Sequence, residues 1–353
     1  MTDPLPSSDG DGPIPTSSPF AAIPLGAGRL IGGAFDLLAK AERDLRAASF
    51  FQGFVTLVTI GPIGALLAVL VVRLDLTSLD PASIQAIGGR ADQAAVWLSL
   101  ATLLALVGFI VVSVESPAIA IAMLAARLVG RPISVAGAVL LVRQRFWRVF
   151  WAGLLVNLLT VIGQQVMARL VPSSLDVGGL SGVIQIALAI LIQTPFVYAI
   201  AGIVLGEVGV IESLRRSTIL FRARPLLALV VSLFGVATEL VLLFGVDAGL
   251  GIVARVTQPF GIGQGGIGVF VGTLLAAALS FAFGTLVFTA AAVGAAPQVL
   301  AFTGLTHYVR GIESARHVVA GPRPWVPFIS RPMAVAIALG VLALFAGIVA
   351  LGR

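Results

Sequence analysis

Long uninterrupted runs of apolar residues alternate with short arginine-rich segments along most of this chain. Seven runs are long enough for a helix to cross the hydrocarbon core of a bilayer, which takes about 20 residues. The runs are continuous instead of alternating apolar with polar positions, which predicts helices and not barrel strands. The predicted spans are residues 50–72, 95–126, 150–171, 183–205, 226–246, 267–293 and 333–351.

Three segments that precede spans show a different pattern, with apolar residues at helical spacing and basic residues on the opposite face. In the first, Leu30, Ala34, Leu38, Ala41 and Leu45 form the apolar face. Segments 133–148 and 208–224 repeat this pattern, and each ends in Arg-x-Arg just before a span. The pattern predicts amphipathic helices that lie in the cytoplasmic interface of the membrane.

The second and fourth spans share a short motif of an apolar residue, Glu or Gln, Ser or Thr, and Pro. The motif is Val-Glu-Ser-Pro ending at Pro117 and Ile-Gln-Thr-Pro ending at Pro195, and the sixth span has Pro297 without the polar pair. The repetition predicts three cassettes, each with an interfacial helix and two spans. The predicted units are a disordered tail at 1–23, cassettes at 24–126, 127–207 and 208–300, an interfacial segment at 301–332 and a final span at 333–353. The predicted fold is therefore an all-α integral membrane protein with about seven transmembrane helices.

The basic residues are distributed unevenly between the two sides that these spans define. Seventeen of the 22 Lys and Arg residues fall on the side of the N-terminus. Because basic loops stay in the cytoplasm, this predicts a cytoplasmic N-terminus and an external C-terminus. The basic side holds Arg29, Lys40, Arg43, Arg46, Arg127, Arg131, Arg143, Arg145, Arg148, Arg215, Arg216, Arg222, Arg224, Arg310, Arg316, Arg323 and Arg331.

Composition agrees with a membrane protein and excludes several other classes. Hydrophobic residues make up 58% of the 353 residues and charged residues 11%, with a mean hydropathy of +1.08, whereas soluble domains have about a quarter charged. The net charge of +6 lies in short loops, which points to membrane orientation and not to nucleic acid. The absence of cysteine excludes disulfides and thiol chemistry. The Arg- and Ala-rich composition indicates a bacterium, and hence its inner membrane.

The segment from Gly206 to Ser217, with its Leu-Arg-Arg-Ser element at 214–217, resembles a motif of a bacterial membrane family. Ile-Ser-Val at 133–135 leading to Arg-Phe-Trp-Arg at 145–148, and Pro-Leu-Gly at 24–26, are similar as well. The family is the glycerophosphoryl diester phosphodiesterase membrane-domain type, with its YciC-like relatives. The resemblance implies a polytopic helical protein without the catalytic phosphodiesterase domain. This chain departs from the family's usual aromatic and basic run at Pro225 and Leu226.

The residues of common catalytic and cofactor sites are missing from the sequence. The two histidines, His307 and His317, have no cluster of carboxylates at metal-ligand spacing beside them. There is no Walker loop and no Gly-x-Ser-x-Gly nucleophile motif. We therefore expect no enzyme activity, no metal and no cofactor.

Polar residues inside the predicted spans are the first candidate site. An ionisable group at this depth is expensive unless it is paired, neutral or hydrated, so we expect Glu115 and Glu239 to face the interior of the bundle. Transporters place their sites at paired broken helices, and Pro117 and Pro195 are equivalent breaks here. Interhelical hydrogen bonding alone is the other interpretation. The candidate residues are Glu115, Ser116, Asn157, Gln193, Thr194 and Glu239.

The arginines of the interfacial helices are the second candidate site, for the headgroups of anionic phospholipids. They are Arg143, Arg145, Arg215, Arg216, Arg222 and Arg224. Two functions follow from the two sites. The first is a non-enzymatic membrane protein that organises lipid or supports a membrane partner, and the alternative is a transporter or channel for a small solute or lipid. A protein partner and a homo-oligomer both stay open.

Overall fold

A computed structural model describes residues 26–73, 91–170, 180–257 and 265–306, with four further positions at 334, 335, 338 and 342. Every element in these ranges is helical. We number the α-helices in chain order and name the 3-10 turn Thr194–Phe196 separately. They are α1 (Ala27–Arg73), α2 (Ala91–Leu128), α3 (Val135–Gln144), α4 (Phe146–Leu170), α5 (Leu180–Gln193), α6 (Ala199–Gly206), α7 (Val210–Ala223), α8 (Pro225–Thr257) and α9 (Gly265–Thr306).

Five stretches of the described chain are long and apolar enough to cross a membrane, judged by length and composition. They are Leu106–Leu128, Phe146–Val166, Ile184–Gly206, Pro225–Val246 and Phe270–Thr306. These correspond to the second to sixth predicted spans, and the prediction of a multi-span helical protein is confirmed at this level. The first predicted span falls within α1. The tail at 1–23, most of 301–332 and nearly all of the span at 333–351 lie outside the described residues.

The basic segment at 30–45 is not a separate interfacial helix, because α1 continues without a break from Ala27 to Arg73. Its apolar stripe is buried in the main core of the protein and not in lipid. The helix runs antiparallel to α2, where the side chain of Arg127 donates a hydrogen bond to the Lys40 carbonyl. The buried stripe consists of Leu30, Ala34, Leu37, Ala41, Leu45 and Ala48.

Helices α1 and α9 are antiparallel and approach each other most closely at two glycines. A Cβ atom placed on Gly284 would lie 2.6 Å from Thr56 Cβ and 2.7 Å from the Gln52 carbonyl oxygen. A Cβ atom on Gly53 would lie 2.6 Å from Thr285 Cγ2. All three distances are shorter than a van der Waals contact, so only glycine allows the two backbones to come this close.

Helix α2, which contains Pro117, and helix α6, which follows the turn at Pro195, both end at a left-handed residue. Each terminates at a residue with left-handed backbone conformation, Gly130 (φ +68°) after α2 and Glu207 (φ +58°) after α6. At the end of α2 the Gly130 N–H donates to the Arg127 carbonyl, and the Arg131 N–H to the Ala126 carbonyl, which is a Schellman motif. A short helix then follows in both cases, α3 after α2 and α7 after α6.

The best-packed part of the protein lies at the ends of α2 and α6 that follow the prolines. All nine residues from Ala118 to Ala126 are buried, as are the six from Ala201 to Gly206. A helix that is buried on every side must be surrounded by other helices. The other members of this core come from the N-terminal half of α1, from α3, from the C-terminal part of α9 and from the first turns of α4 and α8. The short helices α3 and α7 therefore pack onto the core, and they bring their polar side chains to the proline-bearing segments.

Candidate functional site

Helix α3 is held to α2 by a buried ion pair. Arg143 Nε lies 3.2 Å from Glu115 Oε1, and Arg143 Nη2 lies 3.4 Å from Glu115 Oε2, so the contact is bidentate. The Glu115 side chain is fully buried and that of Arg143 is 6% exposed. The Arg143 guanidinium also lies 5.9 Å from the centre of the Phe51 ring, in cation–π range. Burial removes water from this pair, so each charge depends on the other.

The second arginine of the same Arg-x-Arg motif binds the end of α6. Arg145 Nη2 donates to Glu207 Oε1 at 2.6 Å, and Nη1 donates to the carbonyls of Ile203 and Val204. These carbonyls belong to the last turn of α6, where cations stabilise the helix dipole. Burial lowers the pKa of the Arg145 guanidinium and the Glu207 carboxylate opposes that shift, while the group stays charged at physiological pH.

The ion pair with Arg145 explains why a glutamate, Glu207, occupies a position with left-handed backbone conformation. The left-handed conformation at a helix end normally selects glycine, and other residues are disfavoured by about 1–2 kcal/mol. Glycine here would lose the carboxylate that pairs with Arg145. The ion pair therefore offsets the backbone strain of a non-glycine residue at this position.

Arg143 and Arg145 are consequently not lipid-headgroup contacts, contrary to the prediction. The two side chains are 6% and 10% exposed and both are directed into the protein. Because the motif ends α3, the first arginine reaches α2 and the second reaches α6. The pair thus connects the first predicted cassette to the second.

Side chains from α7 and α9 form hydrogen bonds with the backbone groups around the helix break at Pro195. Ser217 Oγ donates to the Pro195 carbonyl at 2.8 Å and accepts from the Tyr198 N–H at 3.1 Å. Ser213 Oγ donates to the Ala199 carbonyl, and the Gln298 amide of α9 donates to the Val197 carbonyl. Backbone groups that the 3-10 turn leaves without helical partners are thereby satisfied within the protein.

The other polar residues of the two proline motifs have separate surroundings. Thr194 is buried and its hydroxyl donates to the Ile190 carbonyl, in the last turn of α5, at 2.6 Å. Gln193 is half-buried next to the turn. Ser116 is fully buried, and its hydroxyl has no hydrogen-bond partner among the residues that the structure describes. The same holds for both amide atoms of Gln52 on α1, which the sequence analysis had not singled out.

Glu239 and Asn157 do not join these residues. Both are exposed, Glu239 on α8 and Asn157 on α4. Glu115 is buried in the interior as expected, whereas Glu239 is exposed within the part of the chain that the structure describes, so its expected interior location stays a prediction. Glu239 lies where α8 has left the packed core, beside the exposed side chains of Leu240 and Val241. The described chain thus gathers no cluster of Glu115, Gln193 and Glu239.

The remaining candidate arginines lie on α7 and at its end. Glu212 pairs with both Arg216, at 2.7 Å, and Arg215, at 3.6 Å. The hydrogen bond from Arg216 holds the pKa of the Glu212 carboxyl below its usual value. Arg222 and Arg224 are exposed, and the described residues supply no carboxylate to either. These two cations are therefore the most available to an external anion.

Some of these residues carried a signal in the sequence and others did not. Ser213 and Ser217 lie in the segment that resembles the family motif, four residues apart on one face of α7. Gln298 directly follows Pro297, a position equivalent to neither polar residue of the other two motifs. Gln52 carries no local signal, because a single glutamine at the start of an apolar run is typical of a span boundary.

Comparisons with protein-family models, with curated proteins and with solved structures find no match to this chain. Within the described ranges no three His, Cys, Asp or Glu side chains are grouped so that they could hold a metal ion.

Proposed function

We propose that this chain is a non-enzymatic, seven-span protein of a bacterial inner membrane, with α3 and α7 on the cytoplasmic side, that organises anionic lipid around α7. The proposal includes a threefold cassette and membership of the glycerophosphoryl diester phosphodiesterase membrane-domain type. The matched ends of α2 and α6 support the repeat. The family assignment rests on the Leu-Arg-Arg-Ser element at 214–217, whose serine anchors α7.

The observation that carries the proposal is the outer face of α7. Ile211, Arg215, Ile219 and Arg222 recur at intervals of three or four residues and form one stripe. Ile211 is 81% and Ile219 52% exposed. Apolar side chains between arginines suit the membrane interface, where the isoleucines reach the acyl chains and the arginines reach the phosphates. The opposite face of α7 packs on the protein, where Ser213 and Ser217 hydrogen-bond to backbone carbonyls.

The alternative, a transporter, draws less support from the contacts. A transport path needs polar groups that line one water-accessible route. Here Glu115 is occupied by Arg143, and the backbone at the Pro195 break is occupied by Ser213, Ser217 and Gln298. Glu115 and the backbone groups near Pro195 therefore hold helices together, which favours a structural role for both breaks.

The proposed orientation is testable because the chain has no cysteine of its own. We expect a cysteine at Ile211 to react with a membrane-impermeant maleimide only from the cytoplasmic side, and a cysteine at Ser83 only from the outside. Ser213→Cys is the matched control, since this position lies on the same helix but is buried and should react only after denaturation. Reaction of positions 83 and 211 from the same side would contradict the span assignment.

The lipid proposal predicts a selective loss when the two unpaired arginines are changed. We expect the Arg222→Gln/Arg224→Gln variant to lose a severalfold preference for spin-labelled phosphatidylglycerol over phosphatidylcholine, measured by electron spin resonance in reconstituted vesicles. The reason is that each arginine near an anionic surface contributes about 1 kcal/mol, which is about fivefold in association.

Arg29→Gln/Arg43→Gln is the control for this experiment, because it removes the same charge from two exposed positions of α1. An equal loss in both double variants would mean general attraction to the protein's charge and would contradict a site on α7. No preference for the anionic lipid in the unmodified protein would contradict the proposal as a whole.

A further inference from the structure

Two exposed polar residues interrupt surfaces that are otherwise apolar. Next to Glu239 on α8 the side chains of Leu240 and Leu243 are 37% and 67% exposed. Around Asn157 on α4 the exposed neighbours are Leu154, Leu158 and Val161. The described part of the chain offers Glu239 and Asn157 no hydrogen-bond partner, and lipid tails offer none either. Placing these two polar side chains against lipid therefore costs free energy.

The two residues lie at similar depth. Asn157 is the twelfth residue of the span Phe146–Val166, and Glu239 is the fifteenth of the span Pro225–Val246. At 1.5 Å per residue they are about 16 Å and 21 Å from the starts of their spans. Helix α5 contacts both α4 and α8, so the two helices flank it. Helix α5 therefore lies between α4 and α8, and this group of three helices carries both polar residues.

We propose that a second copy of this chain covers this group of three helices, about a two-fold axis that passes beside α5. The symmetry brings α4 of one protomer against α8 of the other, on both sides of the axis. The Asn157 amide then donates a hydrogen bond to the carboxyl group of Glu239 of the partner subunit. In such an isologous contact the same pair forms twice, so each of the four exposed polar side chains gains a hydrogen-bond partner.

Polar complementarity is the reason to choose a second copy as the occupant. Asn157 supplies an N–H donor and Glu239 an acceptor, and hydrogen bonds of this kind join transmembrane helices. The chain's own apolar segment at 333–351 contains no side chain with a hydrogen-bonding group. This segment can cover α8 but cannot form a hydrogen bond with Glu239. The experiment must therefore distinguish a contact with this segment from a contact with a second copy.

Cysteine cross-linking tests the arrangement with both polar residues left in place. Val161 and Leu243 each lie one helical turn beyond Asn157 and Glu239 and are exposed. We expect disulfide-linked dimers when chains carrying Val161→Cys are co-expressed with differently tagged chains carrying Leu243→Cys. Leu159→Cys is the matched control, because it is also exposed but lies about 200° around α4 from Val161.

The polar contact is tested by the dimer population in vesicles, measured by single-molecule photobleaching. We expect Glu239→Leu to weaken dimerisation about tenfold, the sum of two interhelical hydrogen bonds, and Glu239→Gln to keep it within a factor of about three. A monomeric protein, equal cross-linking from Leu159→Cys, or a Glu239→Leu variant that dimerises normally would each overturn the proposal. So would a disulfide within one chain between Leu243→Cys and Ala338→Cys.

Discussion

Replacing Arg143 with alanine is expected to lower the free energy of unfolding by about 3–5 kcal/mol. The substitution leaves the fully buried Glu115 carboxylate without its bidentate partner, and losses of this size follow when one member of a buried ion pair is removed. Reversible unfolding in mixed detergent micelles, followed by tryptophan fluorescence, measures the change. Glu115→Ala should have an effect of similar size, because it leaves the guanidinium unpaired instead.

The double variant Glu115→Leu/Arg143→Met is the control for this prediction. Apolar side chains of similar volume often replace a buried ion pair at little cost, so we expect the double variant to recover most of the lost stability. A double variant as unstable as Arg143→Ala would show that the loss comes from packing and not from the unpaired charge. A stable double variant with a lost cellular phenotype would instead favour the transport function for Glu115.

Gly284→Ala is expected to destabilise the protein by about 1–3 kcal/mol, the usual range for overpacking a tight interface. The new methyl group would lie 2.7 Å from the Gln52 carbonyl oxygen, which belongs to the backbone of α1 and has little freedom to move. The helix propensity that alanine gains over glycine, about 1 kcal/mol, opposes this loss only in part. The same unfolding measurement in micelles detects it.

Alanine substitutions at two other glycines are the controls for Gly284→Ala. A Cβ atom on Gly153 of α4 would meet nothing within 4 Å, and one on Gly33 of α1 would meet only Leu300 Cδ1 at 3.5 Å. We expect Gly153→Ala and Gly33→Ala to be neutral or slightly stabilising. If Gly284→Ala is as stable as these two variants, the close approach of α1 and α9 is not an important contact.

Hydropathy and length were enough to predict five helical stretches that are long and apolar enough to cross a bilayer, because a crossing helix needs a minimum run of apolar residues. The same reasoning misplaced the segment at 30–45. Its stripe of Leu30, Ala34 and Leu45 looks the same whether it faces lipid or other helices. Only the partner helices α2 and α9, distant in sequence, decide between these two environments.

The candidate sites show the same limit at the level of single side chains. Arg143 and Arg222 occupy equivalent positions in two Arg-x-Arg motifs, yet the first is buried against Glu115 and the second is exposed. The sequence records both charges but not the direction in which each side chain points. The cost of a charge in lipid predicted the interior for both carboxylates, but it could not show that an arginine of the next helix pairs with Glu115 while no cation within the described chain reaches Glu239.

The pairing of α1 with α9 has a consequence for the order in which the protein is made. Gly33 of α1 lies next to Leu300 of α9, so the side of α1 that faces α9 is covered only after α9 has been synthesised. Until α9 has been synthesised, Thr56 and the Gln52 carbonyl lack their close contact with Gly284, whereas Thr59 can already pack against Gly108 of α2. The packing of α1 is therefore completed late in synthesis. A chain that ends before α9 leaves α1, at the opposite end of the protein, incompletely packed.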